Sequence, residues 1–132
     1  MPTAVTDVPP APPRAAEVHF AAEFTFETDC WDVHDALQKG PDFVLLDARS
    51  PALFARGHVP GAINLPHAKI SARTLEAWAA ETIFVTYCAG PHCNSAARAA
   101  LRLARLSRPV KIMAGGVTGW LDEGFLLAEQ GA

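Results

Sequence analysis

The sequence predicts one three-layer α/β domain, a mostly parallel sheet with helices on both faces. Three observations lead there. Short apolar runs at residues 43–46, 82–87 and 109–113 are bounded by turn residues, the pattern of strands buried on both faces. Capped, helix-patterned segments separate them, and strands alternating with helices at this spacing build parallel sheets. The chain has 132 residues, 50% of them apolar and 19% charged, which suffices for one core and leaves little room for a second.

The elements follow in order. Five of the 11 prolines fall within the first 13 residues, so residues 1–14 read as an extended, flexible tail and 15–132 as the folded domain. Within 15–26, Phe20, Phe24 and Phe26 point to a short strand in the second half. Asp29 can cap a helix to about Gln38, which Gly40 and Pro41 end. After the run at 43–46, Ser50 and Pro51 open a helix of one or two turns that Gly57 closes. Residues 57–66 (GHVPGAINLP) are turn chemistry around one short strand, and Ser71 is expected to cap a helix to Ala80. TIFVTY at 82–87 is the second core strand, followed by a loop at 88–93 and a helix over 94–106. After the third strand, Gly115 and Gly116 turn into a short helix around Trp120.

Charge and cysteine usage exclude several classes. The net charge is −3, from 11 basic and 14 acidic side chains, so no basic excess points to nucleic acid or an anionic membrane. No apolar run approaches the roughly 18 residues of a membrane span. The N-terminus lacks the charged and apolar regions of a secretory signal. Three cysteines argue against a disulfide framework and make the cytoplasm the expected compartment. No metal set gathers among the three cysteines and five histidines, only the adjacent His92 and Cys93, and no cofactor is expected.

Ligands of open parallel sheets bind beyond the carboxyl ends of strands, where loops lead into helices. One such loop carries a nucleophile. Cys88 ends TIFVTY, and Ala89, Gly90, Pro91, His92 and Cys93 lead to Asn94, a candidate cap. Amides of the loop and of the first helical turn favour a thiolate at Cys88, so the loop reads as an anion cradle. As a plain strand-end residue, Cys88 would instead be a small buried hydrophobe.

At this point the sequence resembles the single-domain rhodanese family. Residues 43–66 (FVLLDARSPALFARGHVPGAINLP) are similar to its first signature, and Gly115-Gly116-Val117-Thr118-Gly119-Trp120 to its second, Gly-Gly-x-x-x-Trp. With the cysteine loop between them, the likeness covers roughly residues 24–125 in the right order. It implies a rhodanese-like fold with a sheet of about five strands. It also implies a sulfurtransferase, moving a sulfane sulfur from a donor such as thiosulfate to a thiol or cyanide acceptor through a Cys88 persulfide. Asp47, Arg49 and His58 would then be structural, as would Gly115, Gly116 and Trp120.

The loop departs from the family in its spacing. Family loops commonly place Gly three residues after the cysteine and often Arg five after it; here Pro91 and Cys93 hold those places. Asn94 occupies the position where a phosphatase-like loop needs arginine, which argues against phosphate ester hydrolysis. Cys93 is a candidate resolving thiol for Cys88, or it packs beneath the loop. His92 is a candidate substrate contact, and Ser95 a cap or a further hydroxyl donor. Arg98, Arg102 and Arg105 read as a solvated helix face, Trp31 as packing and Cys30 as inert. Two alternatives stand beside the enzyme: a non-catalytic rhodanese-fold regulatory or binding module, and a Cys88–Cys93 redox switch.

Overall fold

The structure, a computed structural model, describes residues 1–129. Five strands form one sheet: β1 (Glu27–Asp29), β2 (Val44–Asp47), β3 (Ile63–Asn64), β4 (Phe84–Tyr87) and β5 (Val110–Ala114). Their order is β1-β5-β4-β2-β3 and every pairing is parallel. The helices are α1 (Pro13–Phe26), α2 (Cys30–Lys39), α3 (Pro51–Arg56), α4 (Ser95–Arg105) and α5 (Gly116–Asp122), with a 3-10 turn at His67–Lys69.

The two-residue period of the strands splits the core in two. Leu45, Val85, Tyr87 and Met113 turn to one face and pack with Cys30 and Val33 of α2 and Trp120 of α5. Leu46 and Phe84 turn to the other, with Ala99 and Leu103 of α4 and with Ile70 and Leu75. These are the three layers expected. β2 leads outward to β3, while β4 leads the other way to β5, so the chain changes direction between β2 and β4. Their adjacent carboxyl ends form the switch point where parallel sheets bind ligands.

Side-chain capping explains the starts of α2 and α3. Asp29 accepts from the Asp32 amide at 2.8 Å, and Ser50 from the Leu53 amide at 3.3 Å. Pro13 starts α1 inside the segment expected as a tail, because proline suits a first helical turn.

Three expectations are corrected. Phe20, Phe24 and Phe26 lie on α1, not on a strand; all three are exposed, so no sheet face draws them in, and the alanine-rich stretch stays helical. Residues 71–80 form successive turns and no α-helix, although Ser71 does accept from the Thr74 amide at 3.2 Å. The Arg108 guanidinium takes the carbonyls of Leu75, Trp78 and Ala79 at 2.6–3.0 Å, and the backbone bonds onto Leu75 and Ala79 come from Trp78 and Thr82, three residues on, as in turns. Asn94 precedes α4, but its side chain caps nothing and accepts from Arg98 Nε at 3.1 Å.

The first signature builds a buried polar knot at the ends of β2 and β4. Asp47, fully buried, binds Arg49 in a fork at 2.7–3.1 Å, and Arg49 also donates to the Gly57 carbonyl at 2.6 Å. Tyr87 donates its hydroxyl to Asp47 at 2.8 Å and accepts from the Val59 amide at 3.0 Å. Asn64 closes the loop on the carbonyls of Asp47 and Arg49. His58 stacks on Phe54 at 3.7 Å, with Nδ1 2.8 Å from the Phe54 carbonyl.

A buried charge left without its partner is far costlier than the intact pair is favourable. Asp47→Asn is therefore expected to lower unfolding free energy by about 3–5 kcal/mol, read from urea titrations. Tyr87→Phe strands the Val59 amide and is expected to cost about 1–3 kcal/mol. A loss below half a kcal/mol in either variant would contradict the knot's structural role.

Candidate active site

The loop between β4 and α4 folds back on itself. The Cys93 amide donates to the Gly90 carbonyl at 3.0 Å, a tight turn that brings Cys93 over Cys88. Cys88 is only 3% exposed and Cys93 half-buried, and both line one cleft of about 370 Å³. Cys88 Sγ donates to the Cys93 carbonyl at 3.2 Å, and Cys93 Sγ lies 3.4 Å from Ser95 Oγ. Thr86 Oγ1 donates to the Ala96 carbonyl at 3.0 Å, pinning the start of α4 beside the thiols.

The second signature holds this loop from behind. Val117 and Thr118 donate their amides to the carbonyls of Cys88 and Ala89, each at 3.0 Å. Thr118 Oγ1 adds a bond to the Ala89 carbonyl at 3.1 Å. Gly116 sits at φ +56°, and a Cβ there would stand 2.9 Å from the Gly90 nitrogen and closer still to the Cys88 oxygen. That approach is why glycine occupies the position.

Electrostatics divides the two sulfurs, contrary to the expected thiolate at Cys88. Burial pushes Cys88 above its ordinary value; the amides of Ala96 and Gly90 oppose this, and the neighbouring Cys93 thiol adds to it. Burial also acts upward on Cys93, but the Ser95 hydroxyl and amide, the Cys88 thiol and the Ala89 amide outweigh it and lower Cys93 to about 7. The pair therefore carries its first negative charge at Cys93, with the proton kept on Cys88.

The remaining candidates separate. His92 and Pro91 are exposed, with the His92 ring over Gly90. The Arg98 guanidinium is bonded to Asn94, and no Lys or Arg lines the cleft among the described residues. Glu27 does line it, across from apolar Ile112 and Met113. The places of Glu27 in the cleft and of the Thr118 hydroxyl on the Ala89 carbonyl were not readable from the sequence, because both come about through pairing of distant segments. Cys30 packs under α5, donating weakly to the carbonyls of Ala114 and Gly116 at 3.6 Å, and burial, with Asp29 and Glu123, raises it to about 11. Among the described residues no group of three His, Cys, Asp or Glu gathers to hold a metal, and no helix is long and apolar enough to cross a membrane.

Fold and loop together define a class: small parallel α/β domains with a thiol between a strand's carboxyl end and a helix start. The family comparison identifies it. The Rhodanese-like domain family matches residues 31–123, and the chain belongs to that family. The BH2092 protein of Bacillus halodurans superposes with a TM-score of 0.85 at 32% identity, over 89% of this chain and 87% of that one. A thiosulfate sulfurtransferase from Pseudomonas aeruginosa gives 0.69 at 27%, over 83% of this chain and 21% of that one. The HTH-type transcriptional regulator Rv0324 of Mycobacterium tuberculosis is 37% identical over 89 residues, 67% of this chain. The chain spans only 38% of that regulator's length.

Two outcomes follow from this geometry. Alkylation of Cys93 by iodoacetamide should rise with pH through an inflection near 7, as its thiolate forms, while Cys88 reacts more slowly at every pH. Peptide mapping of the alkylated protein checks it; a faster Cys88 would reverse the division. Gly116→Ala should cost at least about 1–3 kcal/mol in unfolding free energy, from backbone strain alone.

Proposed function

We propose that the protein is a sulfurtransferase in which Cys88 carries a sulfane sulfur as a persulfide. The observation that carries this reading is the cleft itself: Cys88 and Cys93 line it together, on a strand-to-helix loop whose carbonyls α5 holds from behind. In the first half-reaction the Cys93 thiolate takes the Cys88 proton. Cys88 sulfur then attacks the outer sulfur of the donor, the donor's S–S bond breaks, and sulfite or a thiolate leaves with the electron pair. The persulfide's charge develops toward the amides, which act there as an oxyanion hole does. A nucleophilic acceptor, a thiol or cyanide, then takes the outer sulfur and returns Cys88. Reduced thiols, as in the cytoplasm, are the setting this cycle needs.

The cleft's charge bears on the donor. Its wall holds a carboxylate, Glu27, and no cation among the described residues, which disfavours a dianion such as thiosulfate relative to a persulfide of a small thiol. A second reading, a regulatory module, has one observation in its favour: the relative named as a transcriptional regulator.

Cyanolysis decides between them. The protein with glutathione persulfide or thiosulfate should release thiocyanate over many turnovers, and Cys88→Ser should release none. An undiminished signal from Cys88→Ser, or no turnover by the unaltered chain with either donor, would end the enzyme reading. Glu27→Gln removes an exposed charge worth about 0.2–1 kcal/mol, so kcat/KM for thiosulfate should rise up to about fivefold, with glutathione persulfide changing less.

A further inference from the structure

We infer that Cys93 is a resolving thiol, which attacks the Cys88 persulfide, expels the outer sulfur as sulfide and closes a Cys88–Cys93 disulfide. This rests on the persulfide reading and names what becomes of the sulfur when no external acceptor is present.

The geometry is that of a poised pair. The turn closed by the Cys93 amide on the Gly90 carbonyl returns the chain over Cys88. Cys88 Sγ lies 3.2 Å from the carbonyl oxygen of the residue whose thiol it would bond. Both cysteines line the one cleft, on the loop they share. Cys93 is the more exposed and more readily ionised of the two, as an attacking thiol must be.

The step balances. Cys93 sulfur forms a bond to the inner sulfur, on Cys88; the bond from that sulfur to the outer one breaks, and the outer sulfur leaves with the pair as hydrosulfide. The sulfane sulfur is reduced by two electrons, and the two cysteine sulfurs are oxidised to the disulfide. A small dithiol, for which dithiothreitol serves as the probe, supplies two electrons and two protons to reopen it. The activity is a donor-to-sulfide reduction driven by a dithiol, beyond transfer to cyanide.

The test uses the full chain, reduced and freed of small thiols, mixed with one equivalent of thiosulfate. A parallel arm uses glutathione persulfide. Sulfite or glutathione, sulfide and intact mass are followed together. The unaltered protein should release one sulfide per chain and end two hydrogens lighter, and dithiothreitol should restore its mass. Cys93→Ser lacks the base and should load more slowly; once loaded it should stay heavier by one sulfur atom and release at least about tenfold less sulfide. An unaltered chain that keeps the extra sulfur without releasing sulfide overturns the resolving role and leaves the persulfide reading standing. Absence of sulfur uptake by every variant sinks both. Mild peroxide is the independent check: two hydrogens lost in the unaltered chain but not in Cys93→Ser shows that the thiols meet, and no such loss refutes the pairing.

Discussion

The carbonyls of Cys88 and Ala89 point away from the thiols because the first amides of α5 take them. In a trans peptide the carbonyl and the following N–H point in opposite directions. With both carbonyls held against α5, the amides of Ala89 and Gly90 must face the cleft, where they act on Cys93 and Cys88 respectively. The polarity of the cradle is thus imposed from outside the loop. Gly116 makes the contact possible, since any side chain there would push the Cys88 carbonyl off its donors. The two family signatures are one device: the second turns the loop's dipoles, and the first fixes the strand ends on which the loop stands.

Two sulfurs within that cradle cannot behave as two independent thiols. Burial opposes charge on both, so the group that ionises first is the one with more donors and more solvent, Cys93. The neighbouring Cys93 thiol then raises Cys88 further. A ring of amides around one cysteine, the picture the loop alone suggests, would have lowered Cys88; the second thiol reverses that outcome and supplies a base. Glu27 adds a negative charge at the rim. The cleft is therefore poorly suited to a ligand that brings two further negative charges.

The layers and the cysteine loop were legible in the sequence because both rest on local signals. Period-two burial and a glycine-bearing loop from a strand-end cysteine into a helix do not depend on what lies far away. What was hidden depends on distant partners. Tyr87 reaches Asp47 across 40 residues, and Thr118 reaches Ala89 across 29. The helix expected over 71–80 has the right cap, yet Arg108, 29 to 33 residues away, bonds the carbonyls of Leu75, Trp78 and Ala79 where the segment folds as turns. The three phenylalanines of α1 misled for the opposite reason: apolar residues imply a buried strand only where a face exists to bury them, and these remain in solvent. The direction of the Cys88 shift was equally out of reach, since it follows from burial and from where the neighbouring sulfur points.

The polar knot and the thiol pair are joined through one residue. Tyr87 precedes Cys88, and neighbouring side chains on a strand face opposite ways. The Tyr87 hydroxyl is held between Asp47 and the Val59 amide, on the face that packs with α2 and α5. That anchorage leaves Cys88 facing α4 and the cleft. A slip of one residue would bury the sulfur in the core and turn the tyrosine out. Asp47 and Arg49 therefore never need to touch a substrate to matter for chemistry: by fixing the tyrosine, they decide which side of the sheet the sulfur is on.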